Sequence, residues 1–223
     1  MLEVWGRRIS GNVIPVMWTV AELGLEYTRY NVGGGFSRLD TEEYSALNPN
    51  HKIPTIRDHG RVLWESNAII RYLSRQYGVG SLWPTDDTEL ALADQWMEWT
   101  KTTVLPHLAA VYLGIVRTEP VQRKPEAIAA GAKGFADALE IADRQLSSSL
   151  FMVGDQLTMG DITLGAYVYR YFNLDIERPS LPNVEVWYRR LCDRETYQKH
   201  VMVPFGSSPA EFNALEQAVA DDP

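Results

Sequence analysis

Residues 48–57 read Asn-Pro-Asn-His-Lys-Ile-Pro-Thr-Ile-Arg, and residues 63–73 read Leu-Trp-Glu-Ser-Asn-Ala-Ile-Ile-Arg-Tyr-Leu. Pro54 has no N–H, so it fits within a strand only where that edge faces a ligand. A cis bond before it would turn the Ile53 backbone outward, leaving its N–H and C=O to pair with an extended peptide. Further on, Glu65-Ser66 ends a strand and opens a helix. Free N–H groups and the positive dipole end favour a carboxylate there. The Ser66 hydroxyl adds a donor, and Glu65 can hold an ammonium. Such a corner grips an α-amino acid head by both of its charges. Taken singly, Ser66 also reads as a helix cap and Pro54 as an edge-strand proline. In this order, the pair favours a ligand.

Working outward, Leu2–Trp5 is a short β-type run, and Asn12 can cap a helix from about Val13 to Leu23, closed by Gly24. Glu26–Asn31 suits a strand. Gly33-Gly34-Gly35 opens a mobile loop to about Thr41. Ile53–Arg57 and Arg61–Trp64 flank His59-Gly60, a hairpin signal. Ser66 then starts a helix with Ala68, Ile69, Tyr72 and Leu73 at helical spacing. The order β-α-β-loop-β-β-α describes a small mixed sheet with helices packed on it.

Gly78–Asp87 is a loop-rich joint. Beyond it strand signals are sparse, and helices are predicted over Thr88–Val104, Lys124–Leu146 and Asn183–Cys192. Thr158-Met-Gly-Asp161 is a capping box opening a further helix through Ile162, Ala166 and Tyr169. The tail Ala220–Pro223 is expected to fray. Composition agrees with a folded chain: of 223 residues, 45% are hydrophobic and 22% charged, which excludes a disordered chain. A formal charge of −8 supplies no basic stripe for nucleic acid. The longest apolar run, Leu108 to Val116, falls short of a membrane span. After Arg7-Arg8, the residues Asn12, Pro15 and Glu22 read as turn and helix rather than an export signal.

With these pieces in place the chain resembles the glutathione transferase family over nearly its whole length. The matching residues are Asn48-Pro49, Lys52-Ile53-Pro54, Glu65 to Ile69 and the Thr158–Asp161 box. The resemblance implies a thioredoxin-like N-terminal domain with a mixed four-stranded sheet (residues 1–79) and an all-helical domain (88–223). It further implies that Ile53 pairs with the cysteinyl unit of glutathione through its backbone. Glu65 and Ser66 then hold the γ-glutamyl end, and Lys52 lies near the glycyl carboxylate. Asn50 and Arg38 are weaker candidates for the same polar rim. Pro54, Thr158 and Asp161 are structural. A homodimer is implied, as the family generally is.

Such enzymes place a Tyr, Ser or Cys after the first strand. Here the turn reads Gly6-Arg-Arg-Ile-Ser-Gly-Asn12, without Tyr or Cys. Ser10 is the hydroxyl candidate, and Asn12 can donate through its amide; the choice between them stays open. An unperturbed thiol has a pKa of about 8.5. A donor aimed at sulfur, with the positive start of the first helix, stabilises the thiolate. Lowering the pKa by about two units is worth roughly 2.7 kcal/mol. Trp99, His107, Tyr112 and Phe205 are candidates for the pocket of an apolar electrophile, each also fitting a core position.

Other chemistries find no motif. His51, His59, His107 and His200 lack metal-ligand spacing, so no metal is expected. Nucleotide fingerprints, a nucleophile elbow and C-x-x-C are all missing. The single cysteine, Cys192, reads as a small buried apolar residue in a reducing, cytoplasmic setting. Arg7 and Arg8, beside the turn after the first strand, either attract an anionic ligand to an acidic protein or are merely solvated, the second being the preferred reading. The expectation is a soluble detoxification enzyme that adds glutathione to an electrophilic carbon. Two alternatives remain: a glutathione-dependent disulfide or peroxide reductase, and a non-catalytic binding module on the same fold.

Overall fold

The computed structural model describes residues 1–220. Four short strands form one sheet: β1 (Leu2–Trp5), β2 (Tyr27–Tyr30), β3 (Thr55–Asp58) and β4 (Arg61–Trp64), in the order β2-β1-β3-β4. β1 pairs parallel with β2 and antiparallel with β3, and β3 pairs antiparallel with β4. The parallel step needs a crossover, which α1 (Val13–Glu22) supplies. Its residues Val13 to Val20 are all buried, because one face lies on the sheet and another meets the helical half. At the β3–β4 turn, His59 and Gly60 both have positive φ (47° and 80°), as the tightest hairpins require. The strand expected from Ile53 begins instead at Thr55. The loop after Gly33 contains a short 3₁₀ turn (Gly34–Phe36) and helix α2 (Glu42–Leu47), capped by the Thr41 hydroxyl on Tyr44 N–H.

Helix α3 (Ser66–Tyr77) closes this half, with Ile69, Ile70 and Leu73 buried at helical spacing. The rest of the described chain is helical. Asp86 caps α4 (Asp87–Trp99) by accepting from Thr88 and Glu89 N–H. A π-type turn over Thr100–Val104 joins α4 to α5 (Leu105–Val116). Then follow α6 (Pro125–Gln145), α7 (Met159–Asn173), α8 (Pro182–Cys192), α9 (Glu195–His200) and α10 (Pro209–Ala218). One continuous hydrophobic core runs from Val4 and Ile56 through Trp18 into Leu139, Ile162 and Trp187. At the join, Trp18 lies against Gly165, where an added Cβ would come within 2.9 Å of the indole.

The Thr158–Asp161 box forms as its sequence requires. The Thr158 hydroxyl accepts from Gly160 N–H, and Asp161 accepts from Thr158 N–H at 3.0 Å. Asp161 is wholly buried and also accepts from Met152 N–H (2.8 Å) and Trp187 Nε1 (3.0 Å). Burial raises its pKa to about 6, against the lowering effect of these donors.

Three expectations change. Asn12 stands at the N-terminus of α1, but its side chain makes no capping bond. The arginine pair is not solvated: Arg8 is buried and donates to Lys199 C=O, while Arg7 pairs with buried Glu216 of α10. Cys192 is half-buried rather than in the core. The fraying expected of Ala220–Pro223 lies partly outside the described residues. Ala220 itself is tied down, its carbonyl accepting from Arg29 and Asn31. No helix among the described residues is long and apolar enough to cross a membrane.

Candidate active site

The strand register decides where the site lies. Trp5 pairs with Tyr30 and with Thr55, and Thr55 pairs with Trp64. Consequently the turn after β1, the loop after β2, Pro54 before β3 and Glu65 after β4 all lie at one end of the sheet. Residues from four distant stretches are thereby gathered around the N-termini of α1 and α3.

The turn after β1 is braced from the helical half. Arg170 of α7 donates from Nη2 to Ile9 C=O at 2.9 Å, and its guanidinium lies 4.2 Å from the centre of the Tyr112 ring. Gly11 makes room for it, since a Cβ there would stand 2.5 Å from Arg170 Nη1. Ser10 is buried, and its carbonyl accepts from Val13 and Ile14 N–H. Asn12 is exposed. Lys101 Nζ, from the π-type turn, donates to Asn12 Oδ1 at 2.8 Å, and Tyr167 Oη approaches the same oxygen at 3.3 Å. Burial pushes the Lys101 ammonium down to about 8, while the nearby Glu65 and Glu98 carboxylates pull it up.

The loop before β3 is held from behind by a polar knot. Asn48 Nδ2 and Tyr44 Oη both donate to Lys52 C=O, at 2.8 and 2.6 Å, and both also bond the Thr55 hydroxyl. Asn48 Oδ1 accepts from Asn50 N–H at 2.9 Å. These bonds leave the Lys52 and Asn50 side chains on the exposed rim, with Ile53 half-buried beside Gly33. The Ile53–Pro54 peptide is cis. Across the sheet end, Glu65 is exposed with φ of 71°, a conformation costing a non-glycine residue about 1–3 kcal/mol. Ser66, the first residue of α3, is buried.

Comparison with known proteins places this geometry. Residues 10–76 match the family model described as glutathione S-transferase, N-terminal domain, and residues 125–190 match the glutathione S-transferase C-terminal domain. Glutathione S-transferase GstB of Escherichia coli K12 is 35% identical over 206 residues, covering 92% of this chain and 99% of that protein. The chain belongs to the glutathione S-transferase family. Among solved structures, a theta class glutathione S-transferase from Xanthomonas axonopodis pv. citri with glutathione bound is 42% identical. It superimposes with a TM-score of 0.88, covering 92% of this chain and 99% of that one. A Bombyx mori glutathione transferase, BmGSTD1, is 26% identical with a TM-score of 0.80, covering 90% of this chain and 93% of that one. The thioredoxin-like half and the helical half of this glutathione S-transferase follow the family's arrangement.

Of the residues singled out from the sequence, Ser10, Asn12, Asn50, Lys52, Ile53, Pro54, Glu65 and Ser66 gather at the sheet end. Arg38 lines a shallow recess with Trp5, Thr41 and Tyr44. Thr158 and Asp161 lie within the helical half, under α7. The apolar candidates divide. Tyr112 and Phe205 pack edge to face, Tyr169 also meets Phe205 edge-on, and Tyr112 lies beside the arginine that braces the turn. Trp99 packs edge-on to Trp96, and His107 fills the space over Gly134 of α6. An open recess of about 900 Å³ lies elsewhere, between α5, α6 and residues 175–179, and no residue of the sheet-end site lines it. Sequence reasoning missed Lys101, Tyr167 and Arg170, whose approach to the turn depends on tertiary packing alone. It also missed Glu216, which accepts from Gly35 N–H at 3.1 Å and ties α10 to the glycine loop.

Proposed function

We propose that this glutathione transferase lays glutathione along the sheet end between Ile53 and the Glu65–Ser66 corner and ionises its thiol beside the Ser10–Asn12 turn. The observation carrying this is the strand register that brings those three segments together. Glu65 faces the γ-glutamyl ammonium, and the Ser66 hydroxyl with the α3 N-terminus receives its carboxylate. The Ile53 backbone pairs with the cysteinyl unit as an added strand does. Lys52 and Asn50 meet the glycyl carboxylate from the exposed rim, with Arg38 further along it.

At the turn, the thiol proton leaves to water and the sulfur keeps the electron pair. The α1 N-terminus and a donor from Asn12 or Ser10 stabilise the anion. The thiolate then forms a C–S bond with an electrophilic carbon. In a substitution, the leaving group departs with its bonding electrons. In an addition, the adjacent atom takes a proton from water. Proximity lowers the barrier for an apolar acceptor, and Tyr112 and Phe205, both buried, back the turn through Arg170. Among the described residues no three His, Cys, Asp or Glu side chains are grouped as a metal site needs.

A homodimer follows from the same reading. Val62 and Trp64 expose apolar surface on edge strand β4, as Leu92 does on α4. A detoxifying role in the cytoplasm fits a chain with a half-buried free cysteine. Calorimetry with glutathione tests the binding mode. The wild type binds, and Glu65→Ala weakens binding at least about tenfold through the lost charge-assisted bond. Equal affinity in both would refute it. Turnover of an aryl halide without turnover of a small mixed disulfide separates conjugation from reduction.

A further inference from the structure

The π-type turn at Thr100–Val104 interrupts an otherwise continuous α4–α5 helix. Such bulges are uncommon and concentrate at functional sites. Two of its threonine hydroxyls bond back to the preceding helix, Thr100 donating to Trp96 C=O at 2.8 Å and Thr102 to Glu98 C=O at 2.9 Å. Between them, Lys101 crosses to the other half of the molecule. Its Nζ lies 2.8 Å from Asn12 Oδ1, 3.2 Å from Tyr167 Oη and 5.9 Å from the centre of the Tyr167 ring. Tyr167 is itself buried and directs its hydroxyl at the same Asn12 oxygen.

An amide oxygen has two acceptor sites, an ammonium only donates, and a phenol can donate as well. Both acceptor sites of Asn12 Oδ1 are thus taken, which fixes the orientation of the amide. The opposite edge, Nδ2 with its two hydrogens, is then presented to the exposed side of the turn. A cation on the oxygen also polarises the amide and strengthens its N–H donors. Burial that holds the ammonium near 8 leaves it mostly charged at neutral pH, with Glu65 and Glu98 the carboxylates facing it.

We propose that Lys101 is a positioning residue for thiolate formation. Together with Tyr167 it holds the Asn12 amide so that Nδ2 donates to the glutathione sulfur, making Asn12 rather than Ser10 the sulfur's donor. This rests on the thiolate reading above. The alternative, that Lys101 merely joins the two halves, makes different predictions.

The test follows the ultraviolet absorbance of bound glutathione thiolate against pH. Binding of S-methylglutathione, which has no ionisable thiol, is measured in parallel. Lys101→Met raises the bound thiol pKa by about one unit, a tenfold loss of thiolate below the midpoint. Its affinity for S-methylglutathione changes less than about twofold. Lys101→Arg, which keeps charge and donors, restores most of the effect. Tyr167→Phe shifts the pKa in the same direction by less, a second route should the Met variant fold poorly. In an Asn12→Ala background, Lys101→Met adds no further shift, because the residue acts through Asn12. Additive shifts, or an unchanged thiol pKa with only lowered stability, overturn the proposal. A wild type that binds neither ligand overturns the underlying thiolate reading instead, and this proposal with it.

Discussion

Thr163 of α7 donates its hydroxyl to Asn67 Oδ1 at 2.9 Å, while Asn67 Nδ2 donates to Met97 C=O of α4 at 3.0 Å. Asn67 is the residue after the Ser66 that we assign to the γ-glutamyl carboxylate. The corner of the binding site is therefore pinned to two helices of the other half by one buried side chain. Asn67→Ala removes both bonds and strands polar atoms away from water. Unfolding free energy should fall by about 2–4 kcal/mol in urea titration. A loss below about 0.5 kcal/mol would show that the pin carries no weight.

Glu65 holds φ of 71° and is exposed at the sheet end. Glycine, with no Cβ, meets less steric strain at that positive φ. Glu65→Gly should therefore raise stability by about 1 kcal/mol while weakening glutathione binding more than about tenfold. A melting curve and a binding isotherm on the same variant read the two effects. Loss of stability together with loss of binding would contradict the strain argument.

Asp161 gathers the Met152 and Thr158 N–H groups and Trp187 Nε1 around one buried carboxylate. Asp161→Ala leaves all three donors unpaired, at about 1–3 kcal/mol each. A loss of at least about 3 kcal/mol in equilibrium unfolding is predicted. The effect on glutathione affinity of whatever protein still folds should be small, because α7 is a support and not a ligand surface.

His200 is buried, and its pKa is pushed down to about 4 from 6.5, by burial first and then by Arg8, Lys199 and Arg29. The native imidazole stays neutral where the unfolded one takes a proton. Stability is thus present above about pH 6.5, falls between about 6.5 and 4, and is not lost further by this group below that. The full effect is at most about 3 kcal/mol. Asp161, raised to about 6, works in the opposite sense as pH falls from 6 toward its unfolded value. The informative quantity is therefore the difference between the wild type and His200→Gln. That difference should shrink as pH drops through this window; a constant one would contradict the shift.

The elements that the sequence disclosed are those coded by neighbours along the chain. His59-Gly60 makes its own hairpin, Thr158-x-x-Asp161 its own cap, and Ser66 with Ile69, Ile70 and Leu73 its own amphipathic helix. The corner we assign to glutathione could be read for the same reason, since Ile53-Pro54 and Glu65-Ser66 bracket a single hairpin. What was hidden depends on contacts between distant stretches. Arg7 and Arg8 look solvated until α9 and α10 pack over them. Asn12 looks like a cap until Lys101, 89 residues away, takes its oxygen. No local pattern announces the π-type turn that carries that lysine across. Helix α2, following a run of three glycines, was masked by their loop character.

The thiol of bound glutathione is the most direct test of the account. Ultraviolet titration of the complex should place its pKa about two units below the free value of about 8.5. A bound thiol that titrates like the free one, or a chain that takes up no glutathione at all, would contradict the claim that this sheet end exists to ionise that sulfur.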